Sequence, residues 1–164
     1  MSDTVSCLRD VRLLKDFSAA EVAALADRVV KVTVGRGDVL FWEGDPGDHM
    51  YFVREGQLVI SKIVADGVDE VLGRVGPGEF LGEMSLLDGA PRCATARAET
   101  PAVLYALDRR NFEEFIAESP RVAALFFRAQ AATVVERLRA SDDLVTETAR
   151  WGLESTGLDV RANA

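Results

Sequence analysis

The sequence has 164 residues, of which 48% are apolar and 28% are charged, a composition typical of a globular domain and unlike that of a disordered chain. No apolar run approaches the roughly 18 residues needed to cross a membrane, no secretory signal opens the chain, and two cysteines are too few for a disulfide framework, so we expect a cytoplasmic protein. The 19 basic and 27 acidic residues give a net charge of −8, which disfavours both DNA and anionic membranes as partners.

The first predicted element is a helix that begins after Ser18. Ser18 and Glu21 are spaced as a capping box, in which each side chain accepts a hydrogen bond from the other residue's backbone amide. Val22, Leu25 and Val29 follow at helical spacing and give the helix one apolar face. We expect this face to pack against the rest of the domain.

Between Val30 and Leu107, short apolar or alternating runs are separated by glycine-rich turns, a pattern typical of antiparallel β-proteins. The predicted strands are Val30–Val34, Val39–Trp42, Met50–Val53, Gln57–Ile63, Glu70–Val75, Ala94–Ala98 and Ala102–Leu107. Asp66 and Gly67 favour a tight hairpin because both residues tolerate positive φ. The sequence therefore predicts an α+β, mainly β fold: an antiparallel β-sandwich or jelly-roll barrel with flanking N- and C-terminal helices.

Helix returns after the last predicted strand. Asp108 is placed to cap a helix over Arg109–Glu118. Pro120 suits the first position of a second helix, which we predict from Arg121 to about Ala140. Beyond it we expect a helical extension towards Trp151 and then a loose tail.

We expect one folded domain over residues 1–140, made of the helical start, a β-roll over 30–107 and the helices over 108–140. Residues 141–164 are acidic and weakly patterned, and we assign them to a C-terminal extension. Their acidic balance argues against a DNA-binding helix-turn-helix, because phosphate contacts need basic side chains. We therefore do not expect a transcription factor within the chain as given.

The long predicted helix carries an apolar stripe that approximates a coiled-coil seam. Its members are Val122, Leu125, Phe126, Ala129, Ala132 and Leu138. Small residues at the centre of the stripe allow a close approach of two helices, so we expect a homodimer through this helix. The same stripe could instead pack on the chain's own sandwich.

The segment Phe80–Thr95 carries the features of an anion site. Gly82 permits a close approach by a ligand, and the amides of Glu83 to Ser85 begin a short predicted helix over Met84–Leu87. Arg92 follows after a glycine and proline turn that brings it back towards this helix. A guanidinium that faces a helix N-terminus forms a two-sided clamp for one phosphate.

Glu83 indicates a second part of the ligand. Its carboxylate would repel a phosphate but can accept a hydrogen bond from a sugar hydroxyl, and phosphate plus ribose suggests a nucleotide. A surface ion pair between Glu83 and Arg92 is the structural alternative. Because His49 is the only histidine, we expect neither a histidine-based metal site nor a catalytic triad, and we predict no enzyme activity and no cofactor.

These motifs resemble those of the cyclic nucleotide-binding domain family, which includes bacterial catabolite activator proteins, protein kinase regulatory subunits and nucleotide-gated channels. The resemblance extends over about residues 8–140. It is carried by Gly37–Phe41, Glu43–Asp45, Gly47–Asp48, Tyr51–Phe52, Glu55–Gly56, Gly78–Phe80, Gly82–Leu87 and Ala90–Thr95. The last three segments match the family's phosphate-binding cassette in type and spacing, and we call Gly82–Thr95 the cassette.

The resemblance implies a role for each part of the cassette. Arg92 would pair with the cyclic phosphate, and Glu83 would bind the ribose 2′-hydroxyl. The backbone amides of Ser85 and Cys93 would contact phosphate oxygens, with Gly82 beside the sugar.

The resemblance also implies that Ile60 and Leu72 pack on the base. The full set of expected ligand-binding residues is Ile60, Leu72, Gly82, Glu83, Met84, Ser85, Arg92 and Cys93. Relatives that prefer cyclic GMP tend to carry Thr at the position of Cys93, which favours cyclic AMP here and leaves cyclic GMP as the alternative. The candidates for covering the base are Thr133, Arg137 and Ser141.

The function predicted from the sequence is a non-catalytic cyclic AMP sensor. Ligand binding would move the C-terminal helix and change a dimer contact or a contact with another protein, which the sequence does not identify. Two alternatives remain open: a ligand-free or degenerate member of the family that acts as a dimerisation or interaction module, and a regulatory fragment of a larger channel, kinase or transcription factor.

Overall fold

The structure, a computed structural model, describes residues 3–65 and 67–155. The chain divides into two compact units, Met1–Phe126 and Phe127–Ala164. The helices are α1 (Asp3–Asp10), α2 (Ala19–Ala26), α3 (Glu83–Asp88), α4 (Arg109–Ala117) and α5 (Pro120–Ser155), with a 3₁₀ turn at Arg12–Leu14. The strands are β1 (Val30–Val34), β2 (Val39–Phe41), β3 (His49–Glu55), β4 (Leu58–Ala65), β5 (Val68–Val75), β6 (Phe80–Leu81), β7 (Thr95–Ala98) and β8 (Ala102–Asp108).

The strands of the first unit form two antiparallel four-stranded sheets. One sheet has the order β1-β8-β3-β6, and the other has the order β2-β7-β4-β5. Distant strands in the sequence are therefore neighbours, as in a jelly roll. The predicted antiparallel sandwich with flanking helices is confirmed, but the sheets do not close into a barrel, so the barrel alternative is wrong.

Apolar side chains from both sheets form the core. Val53, Leu81 and Leu104 come from the first sheet, and Leu58 and Ala96 come from the second. Each of these residues is at most 3% exposed. Burial of apolar surface contributes about 25 cal/mol per Å² to stability, so this cluster stabilises the packing of one sheet on the other.

The predicted β4–β5 hairpin is present and longer than expected. β4 continues to Ala65, and β5 already begins at Val68. Gly67 has the positive φ of +79° that the turn requires. Asp66, the other residue of the predicted turn, lies outside the described residues.

The sequence pattern predicts neither β6 nor α1. β6 contains only Phe80 and Leu81, which pair with Phe52 and Tyr51 of β3, and two residues are too few to show an alternating pattern. α1 buries Leu8 and is otherwise mostly polar, so its apolar face is too narrow to recognise from sequence.

The predicted helix starts are confirmed by their caps. The Glu21 amide donates to the Ser18 hydroxyl at 3.3 Å, and the Ser18 amide donates to the Glu21 carboxylate at 2.7 Å, which completes the capping box of α2. The Asn111 amide donates to the Asp108 carboxylate at 2.8 Å at the start of α4. Both helices therefore begin where local side-chain chemistry places them.

α5 is one helix of 36 residues. It begins at Pro120 and continues past the predicted end at Ala140, through the expected extension to Trp151. Of the loose tail predicted beyond Trp151, residues 152–155 instead belong to α5, and residues 156–164 lie outside the described residues. The predicted domain boundary at residue 140 stays a prediction. In the part of the chain that is described, no helix combines the length and the apolar character needed to span a bilayer.

Candidate functional site

The cassette follows β6 and surrounds the short helix α3. Gly82 precedes α3 with a φ of +80°, a left-handed conformation that favours glycine. A Cβ atom at this position would lie 2.6 Å from Nη1 of Arg92 and 3.0 Å from the carbonyl oxygen of His49. The glycine therefore lets the backbone pass directly beside the guanidinium.

Arg92 is the centre of the site and is only 5% exposed. Its Nη1 donates to the Gly82 carbonyl at 2.8 Å, and its Nη2 donates to the His49 carbonyl at 2.7 Å. The guanidinium carbon lies 4.2 Å from the ring centroid of Phe41 and 5.9 Å from that of Tyr51. These contacts fix the side chain between the end of β2, the start of β3 and the start of α3.

One donor of Arg92 is unsatisfied by the described part of the protein. Its Nε is buried and has no hydrogen-bond partner among the described residues. Burial lowers the pKa of the guanidinium, and Tyr51, Asp48 and Glu83 oppose this effect. A buried N–H group without a partner is costly, and an anionic oxygen would satisfy it. The site therefore fits an anionic ligand.

Glu83 and Ser85 lie in the first turn of α3 and are buried, with exposed fractions of 1% and 3%. Because both Glu83 and Arg92 are buried, the alternative of a surface ion pair between them is wrong. The loop between β2 and β3 packs closely on this helix. A Cβ atom at Gly47 would lie 2.1 Å from the Ser85 Cβ, so only glycine fits there.

Met84 and Cys93 form an exposed edge of the site. Met84 is 45% exposed, and the thiol of Cys93 lies 3.8 Å from the Met84 sulfur. The Cys93 side chain is thus at the surface beside α3. Among the described residues, no group of three or more His, Cys, Asp or Glu side chains could hold a metal ion.

The two residues expected to pack on the base lie on adjacent strands. Ile60 of β4 pairs with Gly73 of β5 and is partly buried against the core cluster. Leu72, the residue before Gly73, is 56% exposed. An exposed leucine of this kind is available to an apolar ligand surface.

The candidates for covering the base, Thr133, Arg137 and Ser141, lie on the part of α5 that belongs to the second unit. The Thr133 hydroxyl donates to the Ala129 carbonyl at 3.2 Å, and the Ser141 hydroxyl donates to the Arg137 carbonyl at 3.0 Å. Their role towards a base stays a prediction.

Sequence reasoning missed the aromatic wall behind Arg92. Phe41 and Tyr51 stack with ring centroids 6.1 Å apart, and both rings lie near the guanidinium. Burial raises the pKa of the Tyr51 phenol, which keeps it neutral. Both residues lie in the segments that carry the family resemblance, but one sequence does not show which aromatic side chains meet an arginine.

The chain is similar in sequence to known proteins. The family model described as "Cyclic nucleotide-binding domain" matches residues 31–119. A CRP-like cAMP-activated global transcriptional regulator of Mycobacterium tuberculosis is 31% identical over 131 residues, which cover 80% of this chain and 57% of the regulator. The chain therefore spans little more than half the length of that relative.

Two solved structures are also similar. The N-terminal domain of a transcriptional regulator from Streptomyces coelicolor has a TM-score of 0.70 and 39% identity, covering 84% of this chain and 95% of that domain. The regulatory domain of Toxoplasma gondii PKA, crystallised with cAMP, has a TM-score of 0.63 and 30% identity, covering 68% of this chain and 42% of the other.

Proposed function

The chain belongs to the cyclic nucleotide-binding domain family, and we propose that it is a non-catalytic sensor of a cyclic nucleotide, with cyclic AMP as its ligand. The observation that carries this proposal is Arg92, a buried guanidinium with an unpartnered Nε beside the start of α3. A charge held in this way needs an anion of defined position.

In the proposed complex, the cyclic phosphate binds Arg92 together with the backbone amides of Ser85 and Cys93. Gly82 lies beside the sugar, and Glu83 accepts a hydrogen bond from the ribose 2′-hydroxyl. Burial of Glu83 and Arg92 supports these roles, because interactions of charged groups are stronger away from water.

In the same complex, the base packs on Ile60 and Leu72, beside Met84 at the exposed edge. The exposure of Leu72 and Met84 supports this arrangement, since a bound base would cover both apolar side chains. The similar T. gondii domain was crystallised with cAMP, and the absence of Thr at position 93 also favours cyclic AMP over cyclic GMP.

We propose that ligand binding shifts α5 and so changes a homodimer contact or a contact with another cytoplasmic protein. We propose neither DNA nor a membrane as a partner. A ligand shifts a conformation only if it contacts the two states differently. We expect cyclic AMP to slow amide exchange in the cassette and in Phe126–Ser141. Unchanged exchange in Phe126–Ser141 would contradict this output.

A second candidate function is favoured by the lengths of the relatives. The matched region spans 57% of the M. tuberculosis regulator, so the chain could act as the regulatory part of a larger assembly or protein. The ligand chemistry is the same in both cases.

Calorimetric titration with cyclic AMP, cyclic GMP and linear AMP tests the proposed ligand. We expect cyclic AMP to bind tightest, cyclic GMP to bind more weakly, and linear AMP to bind least, because its open phosphate differs in charge and shape. Absence of binding by all three nucleotides, or equal binding of linear and cyclic AMP, would overturn the proposal.

A further inference from the structure

Arg109, the first residue of α4, reaches back to the cassette. Its Nη1 donates to the Leu86 carbonyl at 2.7 Å, and its Nη2 donates to the Ser85 carbonyl at 2.8 Å. Nη2 also lies 3.3 Å from the Gly47 carbonyl, and Nε lies 3.8 Å from the Asp48 carboxylate. One guanidinium therefore joins α3, the β2–β3 loop and α4.

These contacts give hydrogen-bond donors to carbonyl groups at the end of α3. The helix has only six residues, and the last carbonyls of a helix have no amide partner within it. The Gly89 amide donates to the Ser85 carbonyl, and Arg109 donates to both the Ser85 and Leu86 carbonyls. A cation also complements the negative end of a helix.

The opposite end of α3 meets Arg92. The Gly82 carbonyl, directly before α3, accepts the hydrogen bond from Arg92 Nη1. A ligand that engages Arg92 therefore acts on one end of α3, while Arg109 holds the other end. α4 in turn packs on the start of α5, where the Phe112 and Phe126 rings have centroids 4.9 Å apart.

We propose that Arg109 is a positioning residue that couples the cassette to α4, so that a ligand-induced shift of α3 is carried to α4 through its guanidinium. This inference rests on the proposed function.

α4 does not need this side chain to form. Asp108 caps the helix by accepting the Asn111 amide at 2.8 Å, and the Arg109 backbone amide donates to the Asp48 carbonyl at 2.8 Å. Removal of the Arg109 side chain should therefore leave α4 in place and remove its link to α3.

Arg109→Ala tests the coupling, with Arg110→Ala as the matched control. Arg110 is the next residue, its side chain is 87% exposed, and it pairs with Glu114 within α4. Calorimetry measures cyclic AMP affinity. Amide exchange, without ligand and at saturating cyclic AMP, measures how much protection the ligand adds to the cassette and to α4. We expect Arg109→Ala to lose affinity by about tenfold, to keep the added protection that cyclic AMP gives the cassette, and to lose the added protection that cyclic AMP gives α4. Arg110→Ala should behave like the parent.

Arg109→Lys provides a second variant in case Arg109→Ala does not fold by circular dichroism. An ammonium group keeps the charge but lacks the planar fork that meets two carbonyls, so we expect partial protection of α4. If the parent binds cyclic AMP and the folded Arg109 variants protect α4 as fully as Arg110→Ala does, the coupling is overturned and the sensor function stands. If the parent binds no cyclic nucleotide, both proposals are overturned.

Discussion

Arg92 makes polar contacts to the backbone at two places and aromatic contacts behind them, so its removal tests the site directly. We predict that Arg92→Ala weakens cyclic AMP binding by ~2–5 kcal/mol, or roughly 30-fold to several-thousand-fold, because one partner of a charge-assisted contact is lost. Calorimetric titration measures the loss.

Arg74→Ala is the matched control, since Arg74 forms a surface pair with Glu99 at 3.0 Å and its side chain is 52% exposed. Exposed pairs of this kind contribute ~0–1 kcal/mol to stability, so this variant should bind as the parent does. A loss of less than about threefold in a folded Arg92→Ala protein would contradict the clamp.

A methyl group at Gly82 would have two effects, backbone strain and displacement of Arg92, and a comparison with Gly37 distinguishes them. Gly82→Ala must adopt a φ of +80° and place a methyl group 2.6 Å from Arg92 Nη1. Gly37→Ala must adopt a φ of +86° with no atom within 4 Å of its methyl group. We predict that both variants lose ~1–3 kcal/mol of unfolding free energy, and that only Gly82→Ala loses cyclic AMP affinity, by about tenfold or more.

Urea unfolding and titration of both variants check this comparison. Equal affinities for Gly82→Ala and Gly37→Ala would show that the guanidinium is not held in place by the close approach at Gly82.

At the residue scale, the sequence predicts the cassette but not the residues that surround it. Gly82, Glu83 and Arg92 were predicted because their types and spacing are local. The carbonyl of His49 and the ring of Phe41 were not predicted as partners of Arg92, because tertiary packing brings these distant segments together.

At the element scale, the cap of α4 should make the free energy of unfolding depend on pH. Hydrogen bonds from Asn111, first from its backbone amide, hold the pKa of the Asp108 carboxyl below its usual range. A lowered carboxyl pKa means that the cap stabilises the folded state above the unfolded pKa and that this contribution is lost as the pH falls through the folded pKa. Asp108→Ala should therefore cost ~0.5–2 kcal/mol near neutral pH and progressively less in acid.

Asp108→Asn is the matched variant, because an amide oxygen still caps the helix but carries no charge. Urea unfolding at about pH 7 and about pH 3 measures the difference from the parent. An Asp108→Ala cost that is the same at both pH values would contradict an ionised cap.

Elements were predicted where local signals were strong. Alternating strands between glycine turns and the caps at Ser18 and Asp108 are visible in short windows of sequence. β6 depends on pairing with β3, and the contacts from Arg109 to Ser85 and Leu86 span 24 and 23 residues of sequence, respectively. Contacts of this kind follow from the topology of the sandwich, which periodicity does not encode.

At the scale of the whole molecule, the exposed face of α5 determines what a second copy could contact. Val122, a member of the predicted stripe, is 4% exposed and lies within the first unit, so it is not available to a partner. Further along, apolar or small residues recur at spacings of four and three. They are Phe127, Ala131, Val134, Leu138, Ser141 and Val145.

This face has the properties of a coiled-coil seam. Phe127, Val134, Leu138 and Val145 are between 45% and 67% exposed, although each would be stabilised by burial. In a parallel pair of helices, residues that flank such a seam meet across the interface, which would bring Arg137 of one copy near Asp142 of the other. Apolar spacing and opposite charges therefore favour a parallel homodimer.

We predict that the chain is a dimer at concentrations on the order of tens of micromolar, and that Leu138→Glu makes it monomeric by placing a charge in the seam. Thr146→Glu is the matched control, because it adds the same charge at an exposed position next to Val145 but outside the seam. Sedimentation velocity with and without cyclic AMP measures the state of each protein. A parent that sediments only as a monomer in both conditions would refute the dimer. If Leu138→Glu and Thr146→Glu dissociate equally, the association depends on net charge and not on the seam, because only Leu138 should lie between the helices.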